Sequence, residues 1–254
     1  MPQRSFLFFL IGFSFLWIPL GQHGFLVSHW MKVGTFMAPF LLGVALAFRG
    51  TAQAPSTDDP RWLSLLLLMA YIAHQFEEHW IDALGRTYAF FDSTNSLILR
   101  ALGAPSDATG PLTPEAVFVI NTSLVWLVGA LAIVAGRKRM FAPLAMAAIV
   151  LVNAVVHIGA GLGSLSYNPG LLTSVFVFLP LSLWVYRRFL QDGLVSRTQI
   201  ALSLAWAVGA HIVMVAGMIG ANWHNLYPEW VYFLALIVWS LLPALIPSDA
   251  HETA

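Results

Sequence analysis

Cysteine is absent from this 254-residue chain, and charge is scarce, at 9% of residues. The first absence removes disulfides, iron–sulfur clusters, thiolate metal sites and cysteine nucleophiles. The second lies far below the roughly 25% of an ordinary soluble domain. Lys and Arg together number 12, as do Asp and Glu, so the formal net charge is zero. No field of one sign is available to attract nucleic acid. No internal repeat, low-complexity tract or linker divides the chain, which reads as a single transmembrane domain over 1–254.

What fills the chain is apolar: 59% of residues are hydrophobic and the mean hydropathy is +0.77. A membrane span needs about 20 predominantly apolar residues. Eight segments qualify, at about 5–27, 33–49, 61–84, 114–135, 141–163, 169–188, 200–220 and 228–246. The expected fold class is all-α, a polytopic integral membrane helical bundle of about eight transmembrane helices in a cell or inner membrane. Arg4 and the apolar run behind it resemble a signal peptide, but no small-x-small site follows at Pro19-Leu20-Gly21-Gln22-His23, so a retained first helix is expected. The loop 85–113 has an amphipathic middle, 90–102, suited to a membrane surface.

Basic residues set the orientation. With the N-terminus inside, the inner loops hold Arg4, Arg49, Arg61, Arg137, Lys138, Arg139, Arg187, Arg188 and Arg197, and the outer loops hold Lys32, Arg86 and Arg100. Both termini are therefore expected to be cytoplasmic.

Against this apolar background one stretch stands out: Tyr71-Ile72-Ala73-His74-Gln75-Phe76-Glu77-Glu78-His79-Trp80-Ile81-Asp82. It continues the apolar run 62–69 without a turn signal, carrying acids into bilayer at a cost of roughly 2.5–3.5 kcal/mol each. At about 100° per residue, Glu77 and Glu78 fall about 60° and 40° either side of His74, so all three share a face. Asp82 is expected to return to that face, and His79, about 140° away, to look elsewhere. Asn153 and His157, at i and i+4, share a face of the fifth span. These residues, with Asn121 and His211, fall in one slab roughly 9–15 Å below the outer surface at about 1.5 Å rise per residue.

His74-x-x-Glu77-Glu78, then Asn153-x-x-x-His157, then Tyr167-Asn168-Pro169-Gly170 resemble the HxxEE, NxxxH and YxPG signatures of the HXXEE-domain family, a group of membrane proteins of unknown function. The resemblance covers about 65–190 and implies which residues form the site, without implying an activity.

The chemistry follows from the residue types. His74, His157 and one of Glu77 or Glu78 make two imidazoles and a carboxylate, a set that suits catalytic zinc or non-haem Fe(II). The remaining glutamate is then a general acid or base. His211 is a further nitrogen ligand or a support, Asn153 orients a ring or binds substrate, and Tyr167 turns its hydroxyl inward from a turn capping the mouth. The apolar setting implies a lipid-like substrate, and the expected function is a metal-dependent membrane hydrolase or oxygenase. Three alternatives stand beside it: a metal-free isomerase or cyclase using a protonated glutamate, a proton-coupled transporter, and a non-enzymatic bundle whose polar groups only fix packing. Gly159, Gly161 and Gly163 follow no strand and so form no nucleotide loop; they are expected to let the third and fifth spans approach. His23, His29, His79 and His224 read as interfacial or solvated, and Trp30 as part of an aromatic belt.

Overall fold

The computed structural model describes Gly24, residues 27–35, Ala38, Gly43, 59–105 and 107–246. Most of the first two expected spans, with His23, lies outside the described residues. Among the described residues every regular element is helical, apart from an isolated antiparallel bridge between Ile81 and Thr87. Beyond the helical stretch 27–35 the elements are α1 (Pro60–His79), α2 (Ala89–Ala101), α3 (Pro114–Arg139), α4 (Phe141–Ser164), α5 (Leu171–Gln191), α6 (Arg197–Trp223) and α7 (Glu229–Leu245).

Helix starts are written in the sequence. Asp59 caps α1 through Arg61 N–H at 2.8 Å, and Pro60 occupies the first turn, where its missing N–H costs nothing. Thr113 and Pro114 repeat the device for α3, and Ser196 with Gln199 forms a capping box on α6.

Four helices, α3 to α6, are long and apolar enough to cross a membrane. The 20-residue α1 is not among them, because His74, Gln75, Glu77, Glu78 and His79 lower its hydropathy, and α7 has 17 residues. α1 is instead enclosed: Leu63, Leu67, Leu68, Tyr71 and Ile72 are buried against α3 and α4. α4 is the hub, touching α1, α3, α5, α6 and α7. α5 and α6 present large apolar side chains outward, among them Phe176, Leu183, Leu202 and Ile212. Apolar surface of that extent suits lipid. Among the described residues nothing lies within 4 Å of where the Cβ atoms of Gly159 and Gly163 would be, so the expected close approach is not made there. Gly161 alone packs, against Leu171 and Asn168.

Three of the long helices contain π-helical stretches, at Asn121–Leu127 in α3, Ser174–Phe178 in α5 and Ile219–Trp223 in α6. Each extra residue per turn rotates the following face, and such stretches gather at functional sites.

α1 ends at His79, not near 84, and Asp82 therefore leaves the expected face. The reason is local. The Asp82 carboxylate accepts the backbone N–H groups of Leu84 and Arg86 at 2.9 Å each and the Arg86 Nε at 2.7 Å, which folds the chain into a tight loop. Burial pushes the Asp82 carboxyl up, but the Arg86 backbone and guanidinium and the Leu84 N–H outweigh it and hold it below the usual 3.8. A depressed carboxylate contributes stability above its unfolded pKa of about 3.9 and loses it as pH falls through the folded value. Asp82→Asn should therefore lower the melting temperature near pH 7. The gap to wild type should narrow as pH drops below about 4, which a pH series of thermal melts in detergent would check.

Candidate metal centre

Tyr71, His74 and Glu78 form an i, i+3, i+7 stripe along α1, opposite Asn153 and His157 on α4. Glu78 lies between the two imidazoles: its Oε1 is 3.0 Å from His157 Nε2 and its Oε2 is 3.3 Å from His74 Nε2. All three side chains are buried, and one ligand atom from each lies within 4.8 Å of the others.

The hydrogen-bond partners decide where the ring protons sit. Asn168 Nδ2 donates to the His157 carbonyl, which orients that amide and leaves Asn168 Oδ1, 2.8 Å from His157 Nδ1, as an acceptor. His157 therefore carries its proton on Nδ1. At His74 the partner of Nδ1 is Thr173 Oγ1, at 2.7 Å. The single Thr173 hydroxyl proton goes to Glu77 Oε2 at 2.6 Å, so Thr173 accepts from His74 Nδ1–H. Both rings thus turn a bare Nε2 lone pair toward a carboxylate.

Three electron-rich atoms facing one another repel unless a cation lies between them. A proton on His157 Nε2 would satisfy only one edge, because His74 Nε2 is buried and makes no hydrogen bond. A metal ion could engage all three residues, since one ligand atom from each lies within 4.8 Å of the others, and each imidazole already stands 3.0 or 3.3 Å from one oxygen of Glu78. Ring nitrogens anchored through their opposite N–H are what metal-binding imidazoles require. The three residues could hold a metal ion.

The two glutamates have different work. Glu77 Oε1 accepts from Tyr167 O–H at 2.9 Å and Leu172 N–H at 3.2 Å; its Oε2 accepts from Thr173 N–H at 2.8 Å and the Thr173 hydroxyl. Four donors occupy the carboxylate, and two are backbone N–H groups in the first turn of α5, where negative charge is favoured. Glu77 is a clamp that fastens the turn 167–170 and the start of α5 onto α1. The expectation of a second glutamate free for acid–base work does not survive that saturation.

The third motif is the roof. Tyr167 also accepts the Ala83 N–H at 3.0 Å, and its phenol is raised above the usual 10 by burial and by the Glu77 charge. It points at Glu77 rather than into the site. Gly170, at φ +92°, lies so close that a Cβ would stand 2.7 Å from His74 Cε1, 2.8 Å from His157 Cε1 and 3.0 Å from Glu78 Cγ. Only glycine tolerates both that backbone and that approach.

Compared with protein families, residues 65–185 match the one described as protein of unknown function with HXXEE motif. The chain carries an HXXEE domain. No curated protein and no solved structure matches it. Within the HXXEE domain the structure brings His74, Glu78 and His157 together and sets Glu77, Tyr167 and Asn168 behind them. Asn153 donates to the Tyr71 hydroxyl at 2.9 Å, one turn beneath the ligands.

His211 is not one of the three. It sits on α6 with Nδ1 donating to its own helix at Ala207 O, 2.8 Å away. Equal depth placed it at the right height without choosing its face. His79 is buried, not solvated: its Nε2 is 3.2 Å from Asn121 Nδ2 and 3.4 Å from Glu78 Oε2. Trp30 is likewise buried, packed on His79 and Trp126 at 5.2 and 5.8 Å between ring centroids. Asn121 accepts from Gln75, which in turn accepts from Trp126, a polar chain on another face of α1. Sequence reasoning missed Asn168, Thr173 and Tyr71. Only the i, i+3, i+7 stripe signals Tyr71, and Asn168 is the unspecified position of the third motif.

Two substitutions separate the clamp from the ligands. Glu77→Gln sets an amide against two backbone N–H groups and should destabilise by about 2–3 kcal/mol in thermal melts. Glu78→Gln removes a carboxylate from between two lone pairs and should leave the melting temperature of metal-free protein unchanged or higher. Gly170→Ala should cost at least as much as Glu77→Gln, through backbone strain and displacement of both imidazoles.

Proposed function

We propose that this protein is a metal-dependent integral membrane enzyme, of hydrolase or oxygenase type, acting on a lipid-like substrate. His74, Glu78 and His157 hold zinc or Fe(II), with Glu78 as ligand and Glu77 as clamp. The observation that carries the reading is the buried, unbonded His74 Nε2 lone pair facing Glu78 Oε2 at 3.3 Å. Two histidines and one carboxylate leave a coordination position open, which is the mark of catalytic rather than structural sites. A metal there supplies Lewis acidity and an acidified water. The chain's own groups do the rest: Thr173 and Asn168 hold the imidazoles, and Gly170 closes the roof against water.

The substrate class rests on surroundings. A half-open cavity of about 430 Å³ lies on the far side of His79, lined by Trp30, Met31, Tyr88, Phe91 and Val117 together with the polar His29, Thr87 and Asp92. His79 separates it from Glu78 by one side chain. A largely apolar cleft of this size with a polar side suits an acyl or isoprenoid segment with a polar head. In this reading α1 and α7 cross the membrane with α3 to α6, the first two expected spans complete eight, both termini face the cytoplasm, and the site lies in the outer half.

Detergent-purified full-length protein should carry about one zinc or iron per chain by elemental analysis. His74→Ala and His157→Ala should each abolish that content, while Glu77→Gln, if folded, should retain it. Protein that stays metal-free after zinc or iron is offered would replace this reading with acid catalysis by a protonated Glu78.

A further inference from the structure

Tyr71 is almost fully buried, at 4% exposure, and belongs to none of the three motifs. It stands one turn below His74 on the ligand stripe, its ring edge-on to the His74 ring with 5.6 Å between centroids. Phe178 packs against both rings, 4.9 Å from Tyr71 and 4.3 Å from His74, and immobilises them. The phenol oxygen meets Asn153 Nδ2 at 2.9 Å, across the gap between α1 and α4 that the metal ligands span one turn above.

The pair leaves hydrogen-bonding capacity unused. With Asn153 as donor, the Tyr71 O–H proton is unspent, and Asn153 Oδ1 is buried without a partner among the described residues. If the amide is turned over, Tyr71 donates to Oδ1, and both amide N–H groups and a phenol lone pair are left instead. In either orientation at least one donor and one acceptor are left over beside the site. A buried polar group without a partner costs about 1–3 kcal/mol, so such groups persist where a function uses them.

We infer that the Tyr71 hydroxyl, aligned by Asn153, is a catalytic group that donates a hydrogen bond to a substrate oxygen held at His74, Glu78 and His157. This rests on the metal reading above. It names the reacting end of the substrate: an oxygen that gains negative charge, as in an ester, an amide or an acid, at the head of an apolar chain. A neutral phenol in a dry site stabilises such an oxygen without a competing charge.

Acetohydroxamate, a small chelator with an anionic oxygen, is the probe, and imidazole, a neutral nitrogen ligand, is the control. Both are titrated calorimetrically into zinc-loaded full-length protein in detergent. Tyr71→Phe should keep its zinc and melting temperature, bind imidazole as wild type does, and bind acetohydroxamate about tenfold more weakly. Asn153→Ala, which frees the phenol from its alignment, should weaken acetohydroxamate to a smaller extent. Equal acetohydroxamate affinity in Tyr71→Phe at full zinc content overturns the inference and leaves the metal centre standing. Loss of zinc from Tyr71→Phe overturns it as well, by making the phenol a support for the ligands. Wild-type protein that takes up no zinc or iron overturns the metal reading itself.

Discussion

A carboxylate held between two imidazole lone pairs, away from water, is the constraint to which the rest of this structure answers. Glu78 sits 3.0 and 3.3 Å from two Nε2 atoms, contacts that a cation or a shared proton relieves, and Asn168 and Thr173 hold the far sides of both rings. The arrangement is stiff by design of its neighbours. α1 is buried along most of its length, α4 is the hub of the bundle, and Phe178 lies on the His74 ring. A repulsive cluster this well braced stores a preference for positive charge, in the way preorganised catalytic sites do.

The three motifs divide the labour unequally. The first supplies two of the three clustered side chains and the clamp, the second supplies the other and a partner for Tyr71, and the third supplies none. Its tyrosine and asparagine act through Glu77 and His157, and its glycine provides room. The π-helical stretch Ser174–Phe178 follows directly, so the start of α5 can meet Glu77 while Phe178 still turns onto His74. Evenly wound helix would carry those two contacts out of step.

Much of this was legible in the residues. The all-helical class, and the gathering of His74, His157 and one of Glu77 or Glu78, follow from composition and spacing. The HXXEE motifs stand in the sequence itself. What could not be read was which neighbour each side chain would find. Glu77 and Glu78 lie about equally far from the His74 line, and only the folded turn 167–170 tells clamp from ligand. His211, placed by expected depth, bonds its own helix at Ala207 and does not join the cluster. Asp82 had the right face on a helix that ends first, because its own carboxylate gathers the N–H groups that unwind the chain. His79 and Trp30, marked as polar-edge residues by type, are buried because Asn121 and Trp126 arrive from α3 to meet them.

The Thr173 hydroxyl serves two masters with one hydrogen atom. It gives that atom to Glu77 and takes one from His74, so the clamp and the ring's tautomer are welded into a single condition. Loosening the roof therefore loosens the hold on the imidazole as well. The three side chains come together only once the chain has been laid down past residue 173, where the hydroxyl that joins clamp to ring arrives.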